Sequence, residues 1–204
     1  MAKFPDPPAT LAIPPEIAIL SAGTRLWRIY RAGGAHPAAW RGFRHFGPLQ
    51  ARFDHHDLPR RTQSKGILYA ASHPKTCLAE AFQAHRVIDR ASGDPWLVAF
   101  DIARDIAVLD LMGAWPTRAG ASMAESTGPR PRARSWSRAI HAAYRDVEGL
   151  LYGSSMHANR PSVALYERAR KALPTAPAFH RALADPALLR RLNAAATDIG
   201  YGLV

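Results

Sequence analysis

Five side chains stand out in this sequence for the chemistry they offer: Arg28, Arg52, Tyr69, Glu80 and Ser154. The two arginines present planar donor forks suited to phosphate or carboxylate. Glu80 belongs to the stretch GILYAASHPKTCLAEAF, residues 66 to 82, on the helical side opposite Leu78 and Phe82. It is either a solvated carboxylate or a group facing a cleft where a substrate sits. Each of the others also has a plain reading: Arg28 as a sheet-edge charge, Arg52 as a solvated loop charge, Tyr69 as a core aromatic, Ser154 as a turn cap.

The elements that must position them are legible from periodicity. Gly66 to Ala71 is short, apolar and bounded by glycine, which predicts a buried strand. Ser72 is the expected N-cap of the helix that follows, with Pro74 in its first turn. Leu26 to Arg31 partly alternates like a half-buried strand. Ala32 to Lys65 has no period and is expected to be a long loop, which at that length is usually functional. Trp96 to Phe100, Ile106 to Leu111, Gly149 to Tyr152 and Val163 to Tyr166 predict four more strands, with residues 113 to 132 as a loop. Helical spacing runs from Ala133 to Tyr144, and Asp185 is expected to cap a helix from Pro186 to about Ala195. Residues 1 to 22 are expected to lie on the surface as a proline-rich arm, and 23 to 204 to form one domain. The mix predicts a single α+β domain, a mostly antiparallel central sheet flanked by helices.

Composition sets the surroundings. The 204 residues carry a net charge of +11, and 48% are hydrophobic, as in an ordinary soluble domain. Nine cations between residues 25 and 65 face only Asp54 and Asp57, and six arginines follow between 118 and 145. Such an excess suits a polyanionic partner, or is a compositional arginine bias on solvated faces. The single cysteine, Cys77, excludes an intramolecular disulfide and fits a reducing compartment, so the expected location is cytoplasmic. No apolar run reaches the length of a membrane span.

Familiar chemistries are mostly absent. The sequence has no GxGxxG after a strand, no GxxxxGK[ST], no HExxH and no GxSxG. Asp54-His55-His56-Asp57 has metal-ligating residue types, but neighbours on a strand point to opposite faces. A solvated polar loop is the expected reading, with no metal. Cys77 sits near the apolar face of its helix and reads as core.

Taken in order, LWRIYR, FGPLQARFD, GILYAASHPKTCLAEAF and GLLYGSS resemble the RES domain. That family is named for an arginine, a glutamate and a serine, and its members are mostly toxins of bacterial toxin–antitoxin pairs. The resemblance covers roughly residues 25 to 170. It implies a fold akin to the ADP-ribosyltransferases and an enzyme that degrades NAD+ by phosphorolysis to nicotinamide and ADP-ribose-1''-phosphate. The alternative within the resemblance is transfer of ADP-ribose to a protein. It implies Arg28, Glu80 and Ser154 as catalytic residues, with Arg28, Arg52, Tyr69 and Ser154 binding NAD+. NAD+ and inorganic phosphate enter as substrates, with no resident cofactor. The implied partner is an Xre-type helix-turn-helix antitoxin, which makes contact with nucleic acid indirect; a homo-oligomer is also compatible.

The residue chemistry fits that implication. Arginines suit the pyrophosphate of NAD+. A carboxylate beside the anomeric carbon stabilises the oxocarbenium that forms as neutral nicotinamide departs, and an aromatic ring can stack on the nicotinamide. Two departures from the family pattern stand out. Asp54 replaces a common asparagine and would put negative charge near an anionic substrate, and Gly153 replaces a common proline, leaving Ser154 or Ser155 as the family serine. A rival of another class is a basic nucleic-acid-binding module, with Trp40, Phe43 and Phe46 interleaved among the arginines.

Overall fold

The apolar runs of the sequence become strands of one large sheet. The computed structural model describes residues 4–122 and 124–204. In chain order these form β1 (Ile17–Leu20), β2 (Arg25–Arg31), β3 (Arg44–Gly47), β4 (Arg61–Ala71), α1 (Pro74–Ala81), β5 (Val87–Ile88), β6 (Pro95–Asp101), β7 (Ile106–Asp110), α2 (Trp115–Arg118), α3 (Ala124–Thr127), α4 (Arg130–Ala143), β8 (Gly149–Gly153), β9 (Pro161–Tyr166), β10 (Phe179–Ala182), α5 (Leu189–Ile199) and β11 (Gly202–Leu203). The main sheet runs β1-β7-β8-β9-β4-β2-β6-β10, with β3 added to β4, while β5 and β11 form a small parallel pair. Its pairs are antiparallel except β7 with β8. The fold is α+β, as the pattern of elements predicts.

Position of the cleft follows from one irregularity in this sheet. β4 pairs with β9 over five registered residues, Ile67 to Ala71, and β2 pairs with β6 along its whole length. Between β2 and β4 there is one registered pair, Trp27 with Ala71. Beyond it the two strands part, and α1 follows directly from the end of β4. Leu78 and Ala79 of α1 are buried with Leu97, Leu188 and Leu192, which anchors the helix and leaves Glu80 half-buried at its last turn. A second cluster, centred on Trp115, Trp136 and Tyr166, supports β8, β9 and the far half of β4.

Several local expectations change. Of the expected arm, residues 1 to 3 lie outside the described residues, and 4 to 22 do not merely lie on the surface: Ile17–Leu20 pairs with β7, Phe4 is buried beside Trp136, and Arg132 and Trp136 of α4 donate to the Phe4 and Pro5 carbonyls at 2.5 and 2.9 Å. The expected loop from 32 to 65 contains β3 and the start of β4, whose polar side chains hide the strand period. His73, not Ser72, caps α1, its Nδ1 accepting from the Lys75 amide at 3.2 Å, while Ser72 Oγ donates to the Pro161 carbonyl. The expected loop from 113 to 132 holds two short helices. Asp185 does cap its element, accepting from the Ala187 amide, though the first turn is a 3-10 helix before α5 begins.

Candidate active site

The parted strands, the end of α1 and the turn after β8 enclose a cavity of about 490 Å³. Ile29 of β2 and Tyr69, Ala70 and Ala71 of β4 line it, with Glu80 and Gln83 from α1 and its exit, Arg52 and Phe53 from the preceding loop, and Arg130 from the start of α4. Tyr152 and Ser155 complete it. The floor is therefore sheet and aromatic, and the described walls carry the carboxylate of Glu80 and the guanidinium groups of Arg52 and Arg130.

Glu80 is tied into this cavity by a short bond. Ser154 Oγ donates to Glu80 Oε1 at 2.5 Å and itself accepts from the amides of Met156 and His157 at 3.2 and 3.1 Å. The serine is 1% exposed, and both ends of its hydroxyl are used. Gln83 touches the other oxygen, Glu80 Oε2, at 3.4 Å and donates to the Glu80 carbonyl at 2.8 Å. The turn that carries Ser154 is fastened back to α1 by His157 Nδ1 and Thr76 Oγ1, 2.8 Å apart. Ser155 is exposed and lines the cavity without reaching Glu80's bond. This separates the two serines.

Arg52 donates from NH1 to the Gly128 carbonyl at 2.5 Å. Burial, then the nearby positive charge of Arg130, lower its guanidinium from the ordinary value. Tyr69 is half-buried, packed against the Trp115 cluster, and burial pushes its phenol well up. Phe53 packs against Tyr152 with ring centroids 4.6 Å apart and planes tilted by 51°, so the aromatic after Arg52 forms part of the floor. Arg28 stands apart from the cavity lining. Its NH1 donates to the Trp40 and Gly42 carbonyls at 3.1 and 3.0 Å, pinning that segment against β2, and burial lowers it to about 10. Cys77 is buried and its thiol is pushed up to about 12, burial being the main cause, which makes it inert.

The polar loop after Phe53 is not solvated. Asp54, His55 and His56 are each 0% exposed. Asp54 accepts from the Leu49 amide at 2.6 Å, from Arg44 at 2.8 Å and from His56 Nδ1 at 2.5 Å, and it is absent from the cavity lining. The expected negative charge in the pocket is thus turned inward and neutralised. His55 stacks on His141 at 4.3 Å, and Glu167 accepts from His141 Nε2 and the Gly66 amide, both at 2.9 Å. His55, His141 and Glu167 hold their ligand atoms within 4.8 Å of one another. The two rings lie nearly parallel, 22° apart, so their in-plane lone pairs run side by side rather than converging on an ion, and Glu167 is already engaged. Asp54, His56, His141 and Glu167 are hydrogen-bonded in this buried cluster. The ring nitrogens of His55, by contrast, have no hydrogen-bond partner among the described residues, the nearest carboxylate oxygen being Glu167 Oε2 at 3.5 Å.

Residues 25–186 match the RES domain. The chain belongs to the RES domain family. No curated protein matches it. Among solved structures, a chain of the M. tuberculosis MbcT–MbcA toxin–antitoxin complex is similar, at 18% identity and TM-score 0.58, covering 86% of this chain and 92% of that one. The likeness shows that the two share a fold. In this RES domain the residues singled out by sequence fall into two groups: Arg52, Tyr69 and Glu80 line one cleft, while Ser154, buried behind Glu80 and outside the lining, and Arg28 support it from its surroundings. Gln83, Tyr152 and Arg130 were not singled out. Gln83 lay one helical turn from Glu80, the one signal that pointed to it. Among the described residues no helix is long and apolar enough to cross a membrane.

Proposed function

We propose that this RES domain cleaves the nicotinamide–ribose bond of NAD+, with inorganic phosphate as acceptor, and acts as the toxin of a toxin–antitoxin pair. The observation that carries the reading is the Ser154–Glu80 bond at 2.5 Å, in a cleft that also presents Arg52 and Tyr69. A carboxylate held in one rotamer beside an aromatic floor suits a reaction that develops positive charge on a sugar carbon. Binding energy comes from the arginines on the pyrophosphate, and from Tyr69 and Tyr152 against the nicotinamide and its ribose.

In this reading Glu80 Oε2 accepts a ribose hydroxyl and stabilises the oxocarbenium. The bonding pair of the C1''–N1 bond leaves with nicotinamide, which departs neutral and needs no proton. A phosphate oxygen then supplies the pair for the new C1''–O bond. Ser154 is a positioning residue, because its hydroxyl hydrogen is directed at Glu80 and its lone pairs face two amides. Arg28 serves by bracing residues 40 to 42, and its remaining guanidinium N–H groups extend the field that draws an anion. No metal or resident cofactor is needed for these steps. An antitoxin covering the cleft mouth suits the net charge of +11, which speeds capture by an acidic surface. A cytoplasmic location follows from the substrate proposed.

The test is nicotinamide release from NAD+ by the purified chain, with and without inorganic phosphate. Release that phosphate accelerates supports the reading. Release that ignores phosphate points to water or a protein acceptor, and none at several protein concentrations overturns it in favour of a binding module.

A further inference from the structure

Arg130 enters the cleft by a route of its own. Its NH2 donates to Gln83 Oε1 at 2.8 Å, and the same Gln83 donates through Nε2 to the Glu80 carbonyl and faces Glu80 Oε2. One amide therefore connects a guanidinium to the carboxylate proposed to face the reacting carbon. Arg130 is exposed at the cavity rim, and Arg52 bonds to Gly128, two residues before it. The electrostatic effect of Arg130 on Arg52 marks the two guanidinium groups as neighbours.

Among the described lining residues the guanidinium groups of Arg52 and Arg130 share this wall with the carboxylate of Glu80. Beside a carbon that becomes cationic, an uncompensated guanidinium opposes the reaction. An oxyanion bound between the arginine and the carbon reverses that effect, and Gln83 keeps such an anion from meeting Glu80 directly. We propose that Arg130, tethered by Gln83 next to Glu80, receives the acceptor oxyanion, of the inorganic phosphate class, while Arg52 serves the pyrophosphate of the dinucleotide. Arginine is suited to this because its fork can hold Gln83 with one N–H and an oxyanion with others. The assignment rests on the NAD+ reading above and names the residue that selects its second substrate.

The experiment uses the full chain, Arg130→Ala, and Arg60→Ala as a charge-matched control outside the cavity. Nicotinamide release is followed while phosphate and NAD+ are varied in turn, and inorganic phosphate alone is titrated against each protein by 31P line broadening. Arg130→Ala should raise the KM for phosphate at least tenfold, move the KM for NAD+ by less than a third as much, and abolish the broadening. Arg60→Ala should leave the broadening intact. A melting temperature equal to wild type guards against a folding defect. An unchanged KM for phosphate with intact broadening overturns the assignment, and so does an equal or larger rise in the KM for NAD+, which would give Arg130 to the pyrophosphate. If the wild type releases no nicotinamide, the NAD+ reading fails, and the broadening alone decides whether Arg130 holds an oxyanion.

Discussion

Ser154 and Glu80 lie 74 residues apart in sequence and 2.5 Å apart in space, the hydroxyl donating to Oε1 while two amides donate to the hydroxyl. Removing the oxygen frees Glu80 to change rotamer and strands two donors. Ser154→Ala should therefore lower kcat by about tenfold or more, with a smaller change in NAD+ affinity, and cost roughly 1–3 kcal/mol of stability. Ser155→Ala, at an exposed position, should change stability by no more than about 0.5 kcal/mol. Steady-state kinetics and urea melts on both variants check this, and equal effects would contradict the ordering.

Glu80→Gln keeps the shape and removes the charge. Turnover should fall by roughly 100-fold, about 2.7 kcal/mol of barrier. The melting temperature should stay close to wild type, because the side chain is half-buried and off the core stripe. Asp146→Asn, at an exposed carboxylate, is the control. Full turnover in Glu80→Gln would return this residue to the role of a surface glutamate.

A Cβ on Gly153 would lie 1.6 Å from Asn159 Oδ1, and Asn159 itself has a φ of +57°. The asparagine fills the space that a larger residue before Ser154 would need. Gly153→Ala should push the exposed Asn159 side chain aside, loosening the turn that carries Ser154 and lowering turnover, at a stability cost of about 1 kcal/mol or less. Adding Asn159→Gly, which clears the space and suits the left-handed backbone, should recover most of the lost turnover. A double variant no better than Gly153→Ala would show that the turn is not the cause.

Acid should weaken the fold in two stages. Burial pushes the His55 imidazole from 6.5 down to about 4 against the opposing pull of Glu167. Between those values the unfolded chain binds a proton that the folded chain refuses, so stability falls as pH drops from about 6.5 to 4. Burial raises the Asp54 and Glu167 carboxyls, but hydrogen bonds from His56 to the first and from His141 and His55 to the second outweigh it and hold both well below the usual range. Their contribution is full above the unfolded carboxylate values, begins to be lost below about 4, and goes on being lost as pH falls toward the far lower folded values. Urea midpoints from pH 7 to 3 should trace the first loss and the onset of the second, and His55→Gln should flatten the upper one.

Where burial reads as an apolar run, the sequence was enough. β6, β7, β8 and β9 follow from runs such as Trp96 to Phe100, and Cys77 falls in the core as its helical position predicts. Glu80 and Ser154 come together because each lies at the end of an element that the pattern located. What escaped was burial through polar partners. Asp54, His55 and His56 look like a solvated loop because residue type gives no sign of Arg44, Glu167 and the Leu49 amide, which come from elsewhere in the chain. Arg130 was one arginine among many, and only the fold brings it to Gln83. Ser72 and His73 both suit an N-cap, and the choice depends on Pro161, 89 residues later, which takes up the serine hydroxyl.

The sheet order places β9 between β8 and β4, so the two halves of the Ser154–Glu80 bond belong to different periods of the chain's own synthesis. A ribosome-bound chain ending before residue 149 already contains Arg28, Arg52, Tyr69 and Glu80, yet it lacks the two strands that hold β4 against β7 and the turn that fixes the carboxylate. Glu80 then has nothing to lock its rotamer, and β4 has an open edge in place of five paired residues. A chain that stops before residue 149 therefore lacks the hydroxyl that holds Glu80 Oε1, and the proposed site is incomplete in it.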